Sequence, residues 1–175
     1  MKALFYEAFG DPDVLQLGEL PDPHIGPDSL LVEVRAAGLN PVDFKTRQGM
    51  LKPVQRYRLP AVMGNELAGI VEACGAGVTG FAVGDRVFAR MPKGAMGALA
   101  EYAVVPQDVL AIMPATLDFE AAAGIPLAGL TALQALRDEL RLAPGSRVFI
   151  PGGAGGVGTF AIQIAKWLGA EVTTT

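Results

Sequence analysis

Apolar and polar residues alternate in short runs through the first part of the chain, and turn residues separate these runs. In residues 30–36, with the sequence LLVEVRA, Val32 and Val34 fall on one side. Glu33 and Arg35 fall on the other side, as in a strand with one face in water. By this pattern, strands are predicted at 3–6, 14–17, 30–36, 68–74, 86–89, 99–105 and 109–112. Several short strands at such spacing favour a β-barrel or a sandwich over a parallel sheet.

The pattern changes from strands to helices near Pro114. Asp118 can cap a short helix, because its carboxylate can accept a hydrogen bond from the first turn. Residues 127–140 carry a longer helical pattern. The Pro144–Gly145 turn closes this connection and opens a short apolar strand at 147–150.

A glycine-rich turn follows that strand. Gly153, Gly155 and Gly158 have the G-x-G-x-x-G spacing, and a helical pattern begins at Val157. The apolar face of this predicted helix consists of Val157, Phe160, Ala161, Ile164, Ala165 and Leu168. Glycine lets the backbone approach a pyrophosphate, and the helix start offers N–H groups and partial positive charge to that anion. The residues predicted to bind a dinucleotide here are Gly153, Ala154, Gly155, Gly156, Val157 and Gly158. A glycine-rich turn joining an ordinary strand and helix is the alternative.

The order of elements predicts an α/β chain with two domains, at residues 1–120 and 121–175. A chain of 175 residues can hold one domain and part of another. Only two predicted strands, at 147–150 and 171–175, follow Pro144, whereas a doubly wound domain uses about six. We therefore expect the chain to be a fragment of a longer protein.

Charge and composition exclude several classes of protein. The net charge is −4 and no cluster of Lys or Arg offsets it, so we expect no binding of nucleic acid. No apolar run reaches membrane length and the first residues lack a signal-peptide core, so we expect no membrane partner. The single cysteine, Cys74, favours a reducing, cytoplasmic setting and is expected to be buried. The single histidine, His24, is expected on a surface loop.

Five sequence motifs occur in an order that points to one family. They are AAGLNPVD at 36–43, GNELAG at 64–69, VGDRV at 83–87, GLTA at 129–132 and GGAGGVG at 152–158. With them the chain resembles the medium-chain dehydrogenase/reductase superfamily, and within it the zinc-independent quinone oxidoreductase or enone reductase branch. The resemblance implies a GroES-like N-terminal β-barrel followed by the beginning of a Rossmann-fold domain.

Two positions of the motifs bear on metal binding. Zinc enzymes of the superfamily place a Cys after the A-A-G strand and a His in a G-H-E motif. This chain has Asn40 and Asn65 at those positions, and Asn is a poor zinc ligand. We therefore expect no metal site.

The resemblance implies a reductase that transfers hydride from NADPH to a quinone or an α,β-unsaturated carbonyl. Asn40 and Asp43 would line the nicotinamide end of the cleft, with Asn40 as a hydrogen-bond donor, and Thr131 would contact the nicotinamide side of the cofactor. Each has a structural alternative: Asn40 suits a turn, Asp43 can cap the next helical turn, and Thr131 can bond within its helix. The substrate pocket would be walled by the loops 49–59 and 91–97, with an apolar lining from Met91, Met96 and Leu99.

The choice of cofactor depends on the end of the strand at 171–175. Thr173, Thr174 and Thr175 are neutral there, and similar family members with such a run prefer NADPH. We therefore expect Thr174 near the cofactor and tighter binding of NADPH than of NADH.

Two other functions stay open: a non-catalytic NADPH-binding redox sensor or structural protein, and an alcohol dehydrogenase with an unusual site. Many members of the branch are dimers, which leaves a homodimer as an option for a full-length form.

Overall fold

The computed structural model describes Met1–Thr175, and the chain divides into two compact units, Met1–Pro126 and Leu127–Thr175. No helix has both the length and the apolar character needed to cross a membrane. The domain boundary at 120/121 stays a prediction.

The first unit is built from eight strands, one more than the sequence pattern predicts. They are β1 (Lys2–Tyr6), β2 (Leu15–Glu19), β3 (Ser29–Gly38), β4 (Ala61–Val62), β5 (Glu66–Cys74), β6 (Arg86–Arg90), β7 (Tyr102–Pro106) and β8 (Leu110–Ile112). The missed strand is β4, whose two residues are too few to show an alternation. A 3-10 turn at Pro12–Val14 makes β2 begin later than expected.

These strands form two antiparallel sheets. One has the order β2-β1-β4 and the other the order β7-β3-β5-β6-β8. Because β7 and β8 remain the edges of the larger sheet, the strand pairing does not close it into the expected barrel. The α/β character of the chain is confirmed, whereas the barrel is not.

One face of the five-stranded sheet forms the core of this unit. Its fully buried members are the branched residues Leu30, Val32, Leu67, Val71, Val87 and Val105. Burial of each such side chain contributes about 1.5–3 kcal/mol to folding. Val34 packs against the same cluster and Arg35 is exposed, as the alternation predicts.

Two single-residue expectations have opposite outcomes. Cys74 is exposed and not buried as expected, because it is the last residue of β5 and the turn at Gly75 follows it. His24 is exposed, as expected.

Two helices belong to the first unit, and a third begins at its end. Helix α1 (Pro41–Arg47) starts with a proline, whose fixed φ suits the first helical position. Helix α2 (Phe119–Ala123) is capped as predicted, because Asp118 accepts a hydrogen bond from the Ala121 N–H at 2.8 Å. The predicted helix at 127–140 is two segments, namely α3 (Pro126–Leu133) and a π-helical segment at Gln134–Glu139.

The second unit contains a β-α-β arrangement. Strand β9 (Arg147–Ile150), helix α4 (Gly156–Trp167) and strand β10 (Glu171–Thr174) follow one another, and the two strands pair in parallel. The core includes Ala161 and Ala165 of α4. Val157 is 43% exposed, so the predicted apolar face is wrong at this position in the first helical turn.

The close approach of β3 and β5 depends on the absence of a side chain at Gly69. A Cβ at this buried position would collide with the Glu33 carbonyl oxygen and lie 2.7 Å from Val32 Cγ1. We predict that Gly69→Ala lowers the free energy of unfolding by about 1–3 kcal/mol, because the sheet must shift to admit the methyl group. Urea denaturation measures this change. Gly124→Ala is the control, since nothing lies closer than 3.9 Å to its added Cβ and its stability should stay near wild type.

Candidate functional site

Four polar side chains meet where β3 ends and β5 begins. Asn40 and Asp43 lie at the start of α1, and Asn65 and Glu66 lie at the start of β5. The antiparallel register sets Gly38 opposite Glu66, which brings the two segments together. We call Asn40, Asp43, Asn65 and Glu66 the amide–carboxylate cluster.

The cluster consists of amides that donate to carboxylates. The Asn40 Nδ2 donates to Glu66 Oε1 at 2.6 Å, and the Asn65 Nδ2 donates to Asp43 Oδ1 at 2.6 Å. The other oxygen of Asp43, Oδ2, accepts from the Asn40 backbone N–H at 2.7 Å. Asp43, Asn65 and Glu66 are 3%, 5% and 2% exposed, so these bonds replace water around buried polar groups. A buried hydrogen bond contributes about 0.5–1.5 kcal/mol, and more where the acceptor is ionised.

Burial raises the pKa of the Asp43 carboxyl above its ordinary value. The hydrogen bonds from Asn65 and from the Asn40 backbone act in the opposite direction, since they favour the ionised form. Removal from water is the larger effect, so the carboxylate form of Asp43 is disfavoured in the folded protein.

The two predicted catalytic residues therefore lie together, and their contacts differ. Asp43 bonds back to the first residue of its own helical turn, which is the capping contact that the sequence left open as its alternative. Asn40 is half-buried, and its side chain reaches across to β5. The link of each Asn to a carboxylate was not foreseen, because the sequence separations of 26 and 22 residues carry no periodic signal. The catalytic roles of both residues stay predictions.

The positions where zinc enzymes would carry Cys and His present amide N–H groups to carboxylates. In Asn40 and Asn65 the nitrogen faces an acidic oxygen, and an amide nitrogen has hydrogens there and no free lone pair for a metal. No three His, Cys, Asp or Glu side chains lie close enough together to hold a metal ion.

A cavity of about 430 Å³ lies between the two loops that the sequence predicts as pocket walls. Arg56, Tyr57 and Arg58 line it from one loop, and Met91 and Met96 from the other. The Tyr57 hydroxyl donates a hydrogen bond to Gln55 Oε1. Leu99 does not line this cavity. The cavity thus combines an apolar wall with two cationic side chains.

The glycine turn of the second unit is closely packed on one side and open on the other. A Cβ at Gly158 would collide with the Gly152 carbonyl oxygen, and one at Gly153 would collide with Thr174 Oγ1. A Cβ at Gly156, the first residue of α4, would meet nothing within 4 Å. The remaining residues of the predicted binding set are Ala154, Gly155 and Val157, all exposed.

This turn fits a pyrophosphate. The first N–H groups of α4 have no partner inside the helix, and the helix dipole adds partial positive charge there. Glycines at the turn leave open space over those groups, which a bound anion can occupy.

The two threonines predicted to bind cofactor have local hydrogen bonds. The Thr131 hydroxyl donates to the Leu127 carbonyl oxygen at 2.7 Å, inside its own helix. The Thr174 hydroxyl donates to the Ile150 carbonyl oxygen at 2.7 Å and links β10 to β9. Each oxygen can still accept a further bond, and both binding roles stay predictions.

The raised pKa of Asp43 predicts how its contribution to stability varies with pH. The folded protein binds the proton more tightly than the unfolded chain, so this contribution is fully present below 3.8 and is lost as pH rises through the folded pKa. The test compares wild type with Asp43→Asn by urea denaturation between pH 4 and pH 7. We expect the stability of wild type relative to the variant to fall as pH rises. A rise over this range would mean that burial does not dominate.

Three known proteins resemble the chain over nearly its whole length. The NADPH-dependent alkenal/one oxidoreductase of Arabidopsis thaliana chloroplasts is 42% identical over 174 residues, covering 95% of the chain and 44% of that protein. A quinone oxidoreductase of Pseudomonas aeruginosa is 40% identical and covers 99% of the chain and 52% of that protein. The crystal structure of Escherichia coli quinone oxidoreductase complexed with NADPH matches with a TM-score of 0.87 and 35% identity, over 99% of the chain and 52% of that structure.

The chain thus spans about half the length of the curated relatives that it matches. The family model of the alcohol dehydrogenase GroES-like domain matches residues 26–115, a range that contains the amide–carboxylate cluster. The chain therefore belongs to the alcohol dehydrogenase GroES-like family, in the quinone oxidoreductase branch of the medium-chain dehydrogenase/reductase superfamily.

Proposed function

We propose that this chain is part of a zinc-independent, NADPH-dependent oxidoreductase that reduces a quinone or an α,β-unsaturated carbonyl. The observation that carries the proposal is that Asn40 and Asn65 occupy the zinc-ligand positions and donate to buried carboxylates. Without a Lewis acid, alcohol oxidation loses its usual activation, whereas reduction of an activated double bond requires mainly positioning. Relatives named NADPH-dependent alkenal/one oxidoreductase and quinone oxidoreductase support this choice.

Residues of the second unit hold the cofactor in this proposal. NADPH supplies the hydride when it is bound. The exposed start of α4 binds the pyrophosphate through its N–H groups, and the proposed binding set is Thr131, Gly153, Ala154, Gly155, Gly156, Val157, Gly158 and Thr174. The NADPH-dependent relative and the NADPH-bound neighbour support the phosphorylated cofactor. The neutral side chain of Thr174 is compatible with a 2′-phosphate, where a carboxylate would repel it.

Asn40 is the proposed catalytic residue on the acceptor side. Its amide has two N–H groups and one of them is used by Glu66, so the second can donate to a carbonyl oxygen of the acceptor. Such a donor stabilises the negative charge that develops on that oxygen as the carbon is reduced. Asp43, which we predict alongside it, touches the Asn40 backbone and so acts through Asn40 as a positioning residue.

The fold-level part of the proposal assigns a role to each region of the chain. Residues 1–120 form the GroES-like substrate-side domain, whose two sheets are the parts of a barrel. Residues 121–175 open a Rossmann-fold domain. The cavity of about 430 Å³ with Met91 and Met96 in its wall is the proposed acceptor pocket, and a cytoplasmic setting stays the expectation from the single cysteine.

The substitution Gly156→Ala is expected to weaken NADPH binding without lowering the stability of the fold. The added methyl group has open space, so the fold should be unaffected, yet it lies at the helix start where the pyrophosphate would bind. We expect the Kd for NADPH to rise about tenfold or more, which is a loss of about 1.4 kcal/mol or more, with an unchanged melting temperature. Fluorescence titration of the natural full-length protein measures the Kd. Gly124→Ala is the matched control, and equal affinity of wild type and Gly156→Ala would contradict the assignment of this turn.

Turnover tests the activity itself. Natural full-length protein, treated with a chelator, is given NADPH and a small panel of quinones and enones. We expect NADPH oxidation that depends on the acceptor and survives chelation, because Asn40 and Asn65 provide no zinc site. Tight NADPH binding without turnover would favour the redox sensor or structural alternative. Loss of activity on chelation would overturn the metal-free mechanism.

A further inference from the structure

Glu66 is a buried carboxylate to which the proposed function gives no role. It is 2% exposed, lies in the first position of β5 and accepts from the side chain of Asn40. We propose that Glu66 is a positioning residue, which fixes the orientation of the Asn40 amide so that one N–H group is directed to the acceptor or cofactor. This inference rests on the proposed function of Asn40.

The Glu66 carboxyl group lies in space that Gly38 leaves empty because it has no side chain. Gly38 is its register partner on β3, and a Cβ at Gly38 would collide with Glu66 Oε1 and lie 2.7 Å from Glu66 Cδ. The same Cβ would lie 2.8 Å from the Ala123 carbonyl oxygen. The missing side chain at Gly38 therefore forms the recess in which the carboxylate lies, two residues before Asn40.

The chemistry of the contact sets the direction of the amide. The NH₂ end of the Asn40 amide faces the Glu66 carboxyl group, and its nitrogen donates to Oε1 at 2.6 Å. A planar amide held by one N–H has its second N–H in a fixed direction. A free Asn side chain would instead rotate, because its terminal torsion is broad.

Two carboxyl groups of the cluster bind different parts of Asn40. Asp43 holds the backbone N–H of Asn40 at 2.7 Å, whereas Glu66 holds the side chain. Changes at Glu66 should therefore alter the side-chain orientation and leave the helix start in place. A purely structural role of Glu66 would instead give changes in kcat that do not depend on the presence of Asn40.

A double-mutant cycle in the natural full-length protein distinguishes these roles. The variants are Glu66→Asp, Glu66→Gln, Asn40→Ala and the double variant Asn40→Ala with Glu66→Asp. Glu66→Asp keeps the carboxyl group but withdraws it by one methylene, so we expect kcat with an enone to fall about tenfold or more. The Kd for NADPH should stay near wild type, whereas the melting temperature should fall, because a buried hydrogen bond is lost. Glu66→Gln keeps an acceptor oxygen at the same distance and should restore most of kcat.

The cycle also tests whether Glu66 acts through Asn40. In the Asn40→Ala background, Glu66→Asp should change kcat by less than about twofold, since coupled residues are not additive. The proposal is overturned if Glu66→Asp lowers kcat equally in both backgrounds. It is also overturned if Glu66→Asp leaves kcat unchanged, or if Glu66→Gln is as slow as Glu66→Asp.

A readout without turnover keeps this inference separate from the proposed function. The side-chain NH₂ signals of Asn40, identified by their loss in Asn40→Ala, can be followed in ¹H–¹⁵N spectra. We expect one of the two amide protons to be shifted downfield in wild type and in Glu66→Gln, and the shift to disappear in Glu66→Asp. If wild type reduces no acceptor, the proposed function fails, and these spectra still decide whether Glu66 orients the amide. An unchanged spectrum in Glu66→Asp would overturn that role.

Discussion

The hydrogen bonds between two asparagine amides and two buried carboxylates are the interaction on which the site depends. Buried polar groups without partners are costly, so the burial of Asp43 and Glu66 depends on hydrogen-bond donors that meet their carboxyl oxygens. Asn65, directly before β5, donates to Asp43 of α1. Asn40, directly before α1, donates to Glu66 of β5. Burying these carboxylates therefore fixes the start of α1 against the start of β5 and, with it, the position of Asn40.

Both units also need glycine at positions where the Cβ of any other residue would collide with neighbouring atoms. Gly38 and Gly69 let β5 lie close to β3, whereas Gly158 lets α4 lie close to the glycine turn and Gly153 lets that turn lie close to Thr174 of β10. At Gly156 the same absence leaves space that the packing does not use. Glycine thus serves packing at four of these positions and leaves open space at the fifth, so the spacing of glycines alone does not separate packing from ligand access.

The strands were predictable because their pattern is local. Alternation and turn residues locate seven of the eight strands of the first unit, and the carboxylate of Asp118 locates the start of α2. Strand β4 has two residues and no pattern, and the exposure of Cys74 depends on where β5 ends. The barrel was expected from strand number and spacing, but closure depends on which edges pair, and that is not a local property.

The sequence placed two members of the amide–carboxylate cluster near each other but did not predict their partners on β5. Asn40 and Asp43 follow from the resemblance to a family, and their proximity follows from their separation of three residues. The partnership of Asn40 with Glu66 requires the register that sets Gly38 opposite Glu66, which no single-sequence pattern specifies. The glycine turn needed only its strand-turn-helix context, because all its parts are contiguous.

The most direct test of the proposed double-bond reduction is the position of the transferred hydrogen in the product. An enone is reduced by the natural full-length protein with NADPH that is deuterated at the transferable position of the nicotinamide, and the product is analysed by NMR. The account predicts deuterium on the β-carbon of a saturated ketone. Deuterium on the carbinol carbon of an alcohol would contradict it in favour of an alcohol dehydrogenase, and a product without deuterium would contradict hydride transfer altogether.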